Sequence, residues 1–130
     1  MSNVVVLIIL IIIHTLADYF LQGSKLSKLK TVKIPYLLEH VGIYTLVFIV
    51  LSPLTLGLTF MQGLLYSLIN GVLHFVVDYF TGIFKRKYWE SNESNFVAVM
   101  GLDHTVHILT LIITYYLLFP DIVNSPYFWN

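Results

Sequence analysis

The segment from Phe60 to Phe84 reads FMQGLLYSLINGVLHFVVDYFTGIF, and its only acidic or basic residue apart from histidine is Asp78. A helix needs about 20 mainly apolar residues to cross the hydrocarbon core of a bilayer, so this segment is long enough to span a membrane. It nevertheless contains two ionisable side chains, His74 and Asp78. Such residues are costly inside a membrane span and commonly mark a functional site. This segment therefore predicts both the fold class and the place of the site.

The whole chain has the composition of a membrane protein. Of its 130 residues, 58% are hydrophobic and 11% are charged, and the mean hydropathy is +0.83. A soluble domain has about 25% charged residues, so this chain lacks the charge to cover a water-facing surface. It contains no cysteine, which excludes a disulfide framework and a thiolate metal site. The length predicts one domain over residues 1–130.

Three further segments qualify as spans, and together they predict an all-α, integral membrane four-helix bundle. The predicted spans are residues 3–21, 35–51, 60–84 and 96–119. Pro35 suits the first turn of a helix, and Pro120 is expected to end the last span. The first apolar run lacks a preceding basic region and a small-residue cleavage site, so we expect it to be a retained helix rather than a signal peptide.

All seven basic residues fall in two connections, 22–34 and 85–95, which lie on the same side of a four-span protein. The positive-inside rule makes that side the cytoplasm. We therefore expect a multi-pass protein of the cell (inner or plasma) membrane with both termini outside, and the aromatic segment 126–129 at the outer interface. We expect the basic connections to contact anionic lipids of the bilayer and not nucleic acid.

The sequence also contains an internal repeat. HTLADYF at 14–20 recurs as HFVVDYF at 74–80, and LEH at 38–40 recurs as LDH at 102–104. This predicts two repeated helical hairpins related by a pseudo-twofold axis along the membrane normal. A homo-oligomer that completes a cavity is compatible with so short a chain.

Three pairs of a histidine and an aspartate recur at a spacing of four residues: His14 and Asp18, His74 and Asp78, Asp103 and His107. Residues four apart share one face of a helix. On the predicted topology, these pairs and His40 lie in one layer near the cytoplasmic ends of the spans. Unpaired, they would cost roughly 10 kcal/mol or more, so we expect pairing across helices or a bound cation.

Imidazole and carboxylate groups are ligands for zinc, iron or manganese, so a divalent metal ion is the predicted cofactor. The predicted metal ligands are His14, Asp18, His40, His74, Asp78, Asp103 and His107. An interhelical hydrogen bond is the alternative for His14 with Asp18, and an interfacial position is the alternative for His40. His104 points about 60° away from His107 around the helix axis, so it is expected behind a ligand or at the interface. Glu39 is expected to stabilise its helix, because its negative charge lies near the positive, N-terminal end of the helix dipole.

These residues favour a metal-dependent hydrolase with a membrane-associated substrate, such as a lipid phosphate or ester. The metal ion would lower the pKa of a bound water, and Asp18 or Asp103 would be the catalytic general base. The second hypothesis is a proton or metal-cation transporter or channel component, because intramembrane histidines and aspartates mark such pathways. The outer half offers few polar side chains for a path: Gln62, Ser67, Thr110 and Thr114. A holin-like phage membrane effector and a purely structural polar network are also compatible with the sequence.

The chain resembles an uncharacterised family of small bacterial and phage membrane proteins. The resemblance covers most of the chain and rests on four motifs: HTLADYFLQ at 14–22, LEH at 38–40, HFVVDY at 74–79 and DHTVH at 103–107. It implies a four-span membrane fold and brings no assigned activity. More loosely, the repeated His-x3-Asp motif is similar to membrane-bound, metal-dependent hydrolase-like proteins of bacteria, although this chain is shorter. That similarity implies that the metal ligands are His14, Asp18, His74, Asp78, Asp103 and His107.

Overall fold

The computed structural model describes residues 2–124, and its helices are joined by short connections. In chain order they are α1 (Asn3–Thr15), continued by a π-helical turn (Leu16–Phe20), α2 (Gly23–Leu29), α3 (Ile34–Thr55), α4 (Phe60–Tyr88), α5 (Glu93–Leu118) and α6 (Pro120–Val123). Four helices are long and apolar enough to cross a membrane: α1 with its π-helical turn, α3, α4 and α5. The predicted all-α fold with four helices long and apolar enough to span a membrane is confirmed. The predicted interfacial segment 126–129 lies outside the described residues.

The long helices α4 and α5 begin where a side chain satisfies a free backbone N–H group. The Thr59 hydroxyl accepts from the backbone N–H of Gln62, and the Gln62 side chain accepts from Thr59 in return, which forms a capping box for α4. The Asn92 side chain accepts from the backbone N–H of Asn95 at the start of α5. Pro35 lies in the first turn of α3, and Pro120 follows the end of α5 at Leu118, as predicted.

Two helices continue beyond the predicted spans. α3 runs on to Thr55 with Pro53 inside its last turns, where one missing N–H costs little and Gly63 of α4 leaves room for the proline ring. α4 runs on to Tyr88 through three basic residues, whose positive charges interact favourably with the negative, C-terminal end of the helix dipole. The connection predicted at 22–34 contains a further short helix, α2.

The four long helices form one bundle in which α4 packs against α3 and α5, and α1 closes the bundle by packing against the same two helices. The connections at 21–33 and 89–92 lie at one end, which we call the basic end. The turn at 56–59 and α6 lie at the other end, which we call the apolar end. The backbone reverses in that turn at Gly57, whose φ of 69° is favourable only for glycine.

Large apolar side chains fill the bundle interior toward the apolar end: Leu10, Tyr44, Phe48, Leu56, Tyr66, Leu111, Tyr115 and Phe119. The buried Tyr66 hydroxyl donates to the carbonyl of Leu111 at 2.8 Å, and the Tyr115 hydroxyl donates to the carbonyl of Leu56 at 3.0 Å. This half of the interior is therefore close-packed, and backbone carbonyl groups within it satisfy the hydroxyls of Tyr66 and Tyr115. The outward faces of the helices carry apolar side chains, as a lipid-facing surface requires.

Candidate metal centre

The histidines and aspartates singled out from the sequence meet inside the bundle, on the basic side of this aromatic packing. They form three overlapping groups in which the candidate ligand atoms all lie within 4.8 Å of one another. We call Asp18, His40, His74 and Asp78 the central group; His14, Asp18 and His104 form the His104 group; Asp78, Asp103 and His107 form the Asp103 group. All of these residues are buried except His104, which is half-buried. The structure therefore brings together all seven predicted ligands and adds His104.

The central group draws its members from three separate elements. His40 Nε2 of α3 lies 3.0 Å from Asp18 Oδ1, which the π-helical turn carries, and 3.3 Å from Asp78 Oδ2 of α4. His74 Nε2 lies 3.4 Å from Asp78 Oδ2 and 3.6 Å from Asp18 Oδ1. The two Nε2 atoms are 3.0 Å apart. Two imidazole nitrogens and two carboxylate oxygens thus converge on one small space.

Lys30 occupies this space with its ammonium group, a contact that sequence reasoning missed. Its Nζ lies 3.2 Å from Asp18 Oδ1, 3.1 Å from Asp78 Oδ2 and 3.0 Å from His40 Nε2. Burial alone would lower the pKa of Lys30, but Asp78 and Asp18 outweigh it and raise that pKa above its usual value. Lys30 is therefore charged at neutral pH. Although the basic connections were expected to contact lipid, Lys30 points inward, because two buried carboxylates attract it.

The π-helical turn sets the position of Asp18. The Leu21 backbone N–H donates to the carbonyl of Leu16, five residues back, at 3.1 Å. Such turns add a residue to one helical turn and often occur at functional sites. The sequence predicted ordinary helix to residue 21, so this turn was missed. In this position Asp18 Oδ1 faces the central group, while Oδ2 lies 3.7 Å from His14 Nε2.

The Asp103 group is a connected hydrogen-bond network. His107 Nε2 lies 3.2 Å from Asp78 Oδ1 and 3.5 Å from Asp103 Oδ1. The Thr81 hydroxyl donates to Asp103 Oδ1 at 2.5 Å, and Lys85 Nζ donates to Asp103 Oδ2 at 2.8 Å. Both oxygens of Asp103 therefore already have partners. This arrangement favours a role for His107 in holding Asp78, and it places a second buried lysine beside a carboxylate of the site.

Aromatic rings fix the orientation of His74. The Tyr44 ring stacks on it with a centroid distance of 3.9 Å, and the His107 ring stacks on it at 4.0 Å. The Tyr44 hydroxyl also lies 3.3 Å from His14 Nδ1. Ring packing of this kind holds a side chain in one rotamer, as a preorganised binding site requires.

A cleft of about 300 Å³ connects these groups to the basic end, and we call it the basic cleft. Its lining includes Asp18 and Asp103, three ammonium groups and a set of apolar side chains: Lys28, Lys30, Lys85, Trp89, Phe96 and Met100. The cleft therefore offers carboxylates, positive charge and apolar surface together. A molecule with an anionic head and an apolar tail matches this combination.

The fold and this centre define an all-α protein that has four helices long and apolar enough to cross a membrane and a buried cluster of histidines and aspartates. Over residues 6–130 the chain matches the family described as "Protein of unknown function (DUF3307)", and it belongs to that family. The predicted membership of an uncharacterised family is thereby confirmed. No curated protein and no solved structure matches the chain.

We predict that Lys30→Met destabilises the protein by about 3–5 kcal/mol, because it removes the cation between two buried carboxylates. The measurement is the free energy of unfolding by SDS titration in mixed micelles that contain a chelator. The matched control is Lys25→Met on the same short helix, because Lys25 is exposed and its loss should change stability by less than about 0.5 kcal/mol. Equal free energies of unfolding for the two variants would show that the Lys30 contacts do not stabilise the protein.

Proposed function

We propose that this protein is a membrane-embedded hydrolase that binds a divalent metal ion through Asp18, His40, His74 and Asp78. The observation that carries the proposal is the convergence of these four ligand atoms, from three separate elements, to within 4.8 Å. Two imidazoles and two carboxylates are a ligand set that suits zinc, iron or manganese. The Lys30 ammonium within 3.2 Å of three of them supports a space built for positive charge.

The Lys30 ammonium group and the metal ion would alternate in the central group, so that the ion binds when Lys30 withdraws. Both are cations, and the group cannot hold them at the same point. Lys30 also lines the basic cleft, so its flexible side chain has room to withdraw there. In that position its ammonium group would face a substrate instead of the two aspartates.

The same geometry supports roles for the two aspartates predicted as catalytic. A divalent ion in the central group would supply a bound water of lowered pKa. Asp18 lies among the ligands, so it is committed to holding the ion. Asp103 lines the basic cleft and is held by Lys85 and Thr81, so we assign it the role of general base.

The lining of the basic cleft supports a phosphorylated amphiphile as substrate. Lys28 and Lys85 would neutralise a phosphate group, and the lysine ammonium is a common partner of phosphate oxygens. Trp89, Phe96 and Met100 offer apolar surface for an acyl chain. A substrate of this type would reach the site from the surrounding bilayer.

A transport pathway has less support, because the polar groups of the apolar half are satisfied by local partners. The Ser67 hydroxyl donates to the carbonyl of Gly63, the Thr110 hydroxyl to that of His107, and the Thr114 hydroxyl to that of Thr110. The Gln62 side chain caps α4. Beyond them the aromatic packing closes the interior. Access from the basic end alone suits an enzyme better than a channel or transporter.

We propose that the basic end faces the cytoplasm of a cell with an inner or plasma membrane, as the distribution of lysine and arginine indicates. The chain has no cysteine, so single cysteines report topology without background. We predict that a membrane-impermeant maleimide labels Asn124→Cys in intact cells and labels Ser91→Cys only after the cells are opened. Both positions are exposed, at the apolar and the basic end respectively. The opposite labelling pattern would reverse the orientation.

We predict that the protein purified in mild detergent without chelators contains zinc, iron or manganese in stoichiometric amount. A His74→Ala, Asp78→Ala double variant should lose the ion of the central group, because it removes half of that group's ligands. Metal content by mass spectrometry checks both. Glu39→Gln is the matched control, since Glu39 adjoins His40 in sequence but is exposed, and it should retain the metal. Parent protein without metal, even after exposure to each of these ions, would refute the proposal.

For catalysis, we predict release of inorganic phosphate from a long-chain phosphate monoester in mixed micelles, and inhibition by a chelator. Asp103→Asn should lower kcat by about 100-fold to 10,000-fold with metal content unchanged, because it removes the general base. Asp121→Asn changes an exposed aspartate at the apolar end and should leave kcat unchanged. Undiminished turnover in Asp103→Asn would remove Asp103 from this role, and metal-loaded protein without turnover would argue against the hydrolase.

A further inference from the structure

The His104 group offers a second cation position beside the central group. One ligand atom from each of His14, Asp18 and His104 lies within 4.8 Å of the other two. We propose that this group binds a second divalent metal ion, so that the centre is dinuclear with Asp18 as the bridging ligand. The inference rests on the proposed function, because it places the second ion next to the first.

Unpartnered nitrogen atoms point to a ligand in this group. His14 is fully buried, and its Nε2 has no hydrogen-bond partner among residues 2–124. The Nδ1 atom of His104 is also buried without a partner in that part of the chain. Buried polar atoms without partners are uncommon and call for an explanation such as an ion. Two of them in a group of three residues favour a shared cation.

The distance between His14 and Asp18 suits a metal ion better than a hydrogen bond. His14 Nε2 and Asp18 Oδ2 are 3.7 Å apart, which is too long for a hydrogen bond between them. Two ligands that each lie about 2.1 Å from a tetrahedral ion are roughly 3.4 Å apart. A small shift of either side chain would therefore bring both atoms to ligand distance.

Tyr44 prepares His14 for this role. Metal-binding histidines usually form a hydrogen bond through the ring nitrogen that does not bind the metal. The buried Tyr44 hydroxyl lies 3.3 Å from His14 Nδ1. When the Nδ1–H donates to this hydroxyl, Nε2 is unprotonated and faces Asp18. Tyr44 also stacks on His74, so one side chain supports a ligand of each metal position.

Asp18 has the orientation of a bridging carboxylate. Its Oδ1 lies 3.0 Å from His40 Nε2 in the central group, and its Oδ2 faces His14 in the His104 group. Two-metal sites hold their ions about 3.5–4 Å apart, a separation that one carboxylate can span. The π-helical turn places Asp18 between the two groups, which gives this irregular turn a functional reason.

The distribution of positive charge sets the His104 group apart from the Asp103 group. Within residues 2–124, Lys85 pairs with Asp103, whereas no ammonium group pairs with Oδ2 of Asp18. A second ion in the His104 group therefore has no internal cation to displace.

The internal repeat relates the His104 group to the central group. It pairs His14 with His74 and His104 with His40, so the imidazoles of the His104 group are the counterparts of those in the central group.

Three protein ligands leave a fourth position open, as in catalytic rather than structural zinc sites. His104 is half-buried, so an ion held by this group would lie close to the surface of the bundle, where a substrate could reach it. A pair of ions could hold two oxygens of one phosphate group between them, one on each ion. The dinuclear centre thus sharpens the assignment of a phosphate ester as substrate.

The test is manganese loading of the full chain in detergent, with metal content and electron paramagnetic resonance as readouts. We expect two manganese ions per chain with an exchange-coupled spectrum. His104→Gln should retain one ion and give the spectrum of isolated manganese, because only the second position is lost. Thr105→Ala, at the exposed neighbouring position, is the matched control and should keep two coupled ions. His14→Gln tests the same position independently if His104→Gln does not yield folded protein.

The outcomes separate this inference from the proposed function. One ion per chain in the parent, unchanged in both His104→Gln and His14→Gln, would overturn the second position and leave the central one intact. Two ions that persist in both variants, or two without magnetic coupling, would also overturn it. No bound manganese, zinc or iron in the parent would overturn the proposed function together with this inference.

Discussion

Asp18 and Asp78 place two carboxylates between helices whose outer faces are apolar, and a carboxylate in such surroundings is stable only with a compensating charge. Lys30 supplies that charge, and the connection after α1 has the shape needed to deliver it. The π-helical turn ends at Phe20, α2 follows, and Lys30 at the end of α2 reaches back into the bundle. The need to compensate buried charge therefore explains why this connection folds against the bundle.

The sequence predicted what depends on local spacing and composition. Long apolar runs indicated four helices, and the spacing of four residues placed His74 on the same face as Asp78. The position of Lys30 could not be predicted in this way, because it depends on tertiary contacts with residues on three other elements. The π-helical turn was missed because residues 16–20 carry no composition that distinguishes it from α-helix. His104 was left outside the ligand set because its direction was judged against His107 alone, whereas its neighbour is His14 of another helix.

The two halves of the bundle follow different packing rules, and the division explains how a polar centre is tolerated. Toward the apolar end, tyrosine hydroxyls and threonines bond to nearby carbonyl groups, so helix packing there needs no charge. Toward the basic end, the side chains bond mainly to one another across helices. The close-packed half gives the bundle its rigidity, and that rigidity holds the ligand atoms of the other half at fixed distances.

Charge in the polar layer favours metal binding and a negatively charged substrate. Three aspartates face two buried lysines, so the layer carries one negative charge when its imidazoles are neutral. If a divalent ion takes the place of Lys30, the layer becomes neutral, which lowers the cost of keeping it between apolar helices. The second copy of the repeat has no lysine at the position of Lys30 that a metal ion could replace in this way. The residue sixty positions after Lys30 is Glu90, which is exposed. A second ion in the His104 group would leave two positive charges, and a phosphate dianion would balance them.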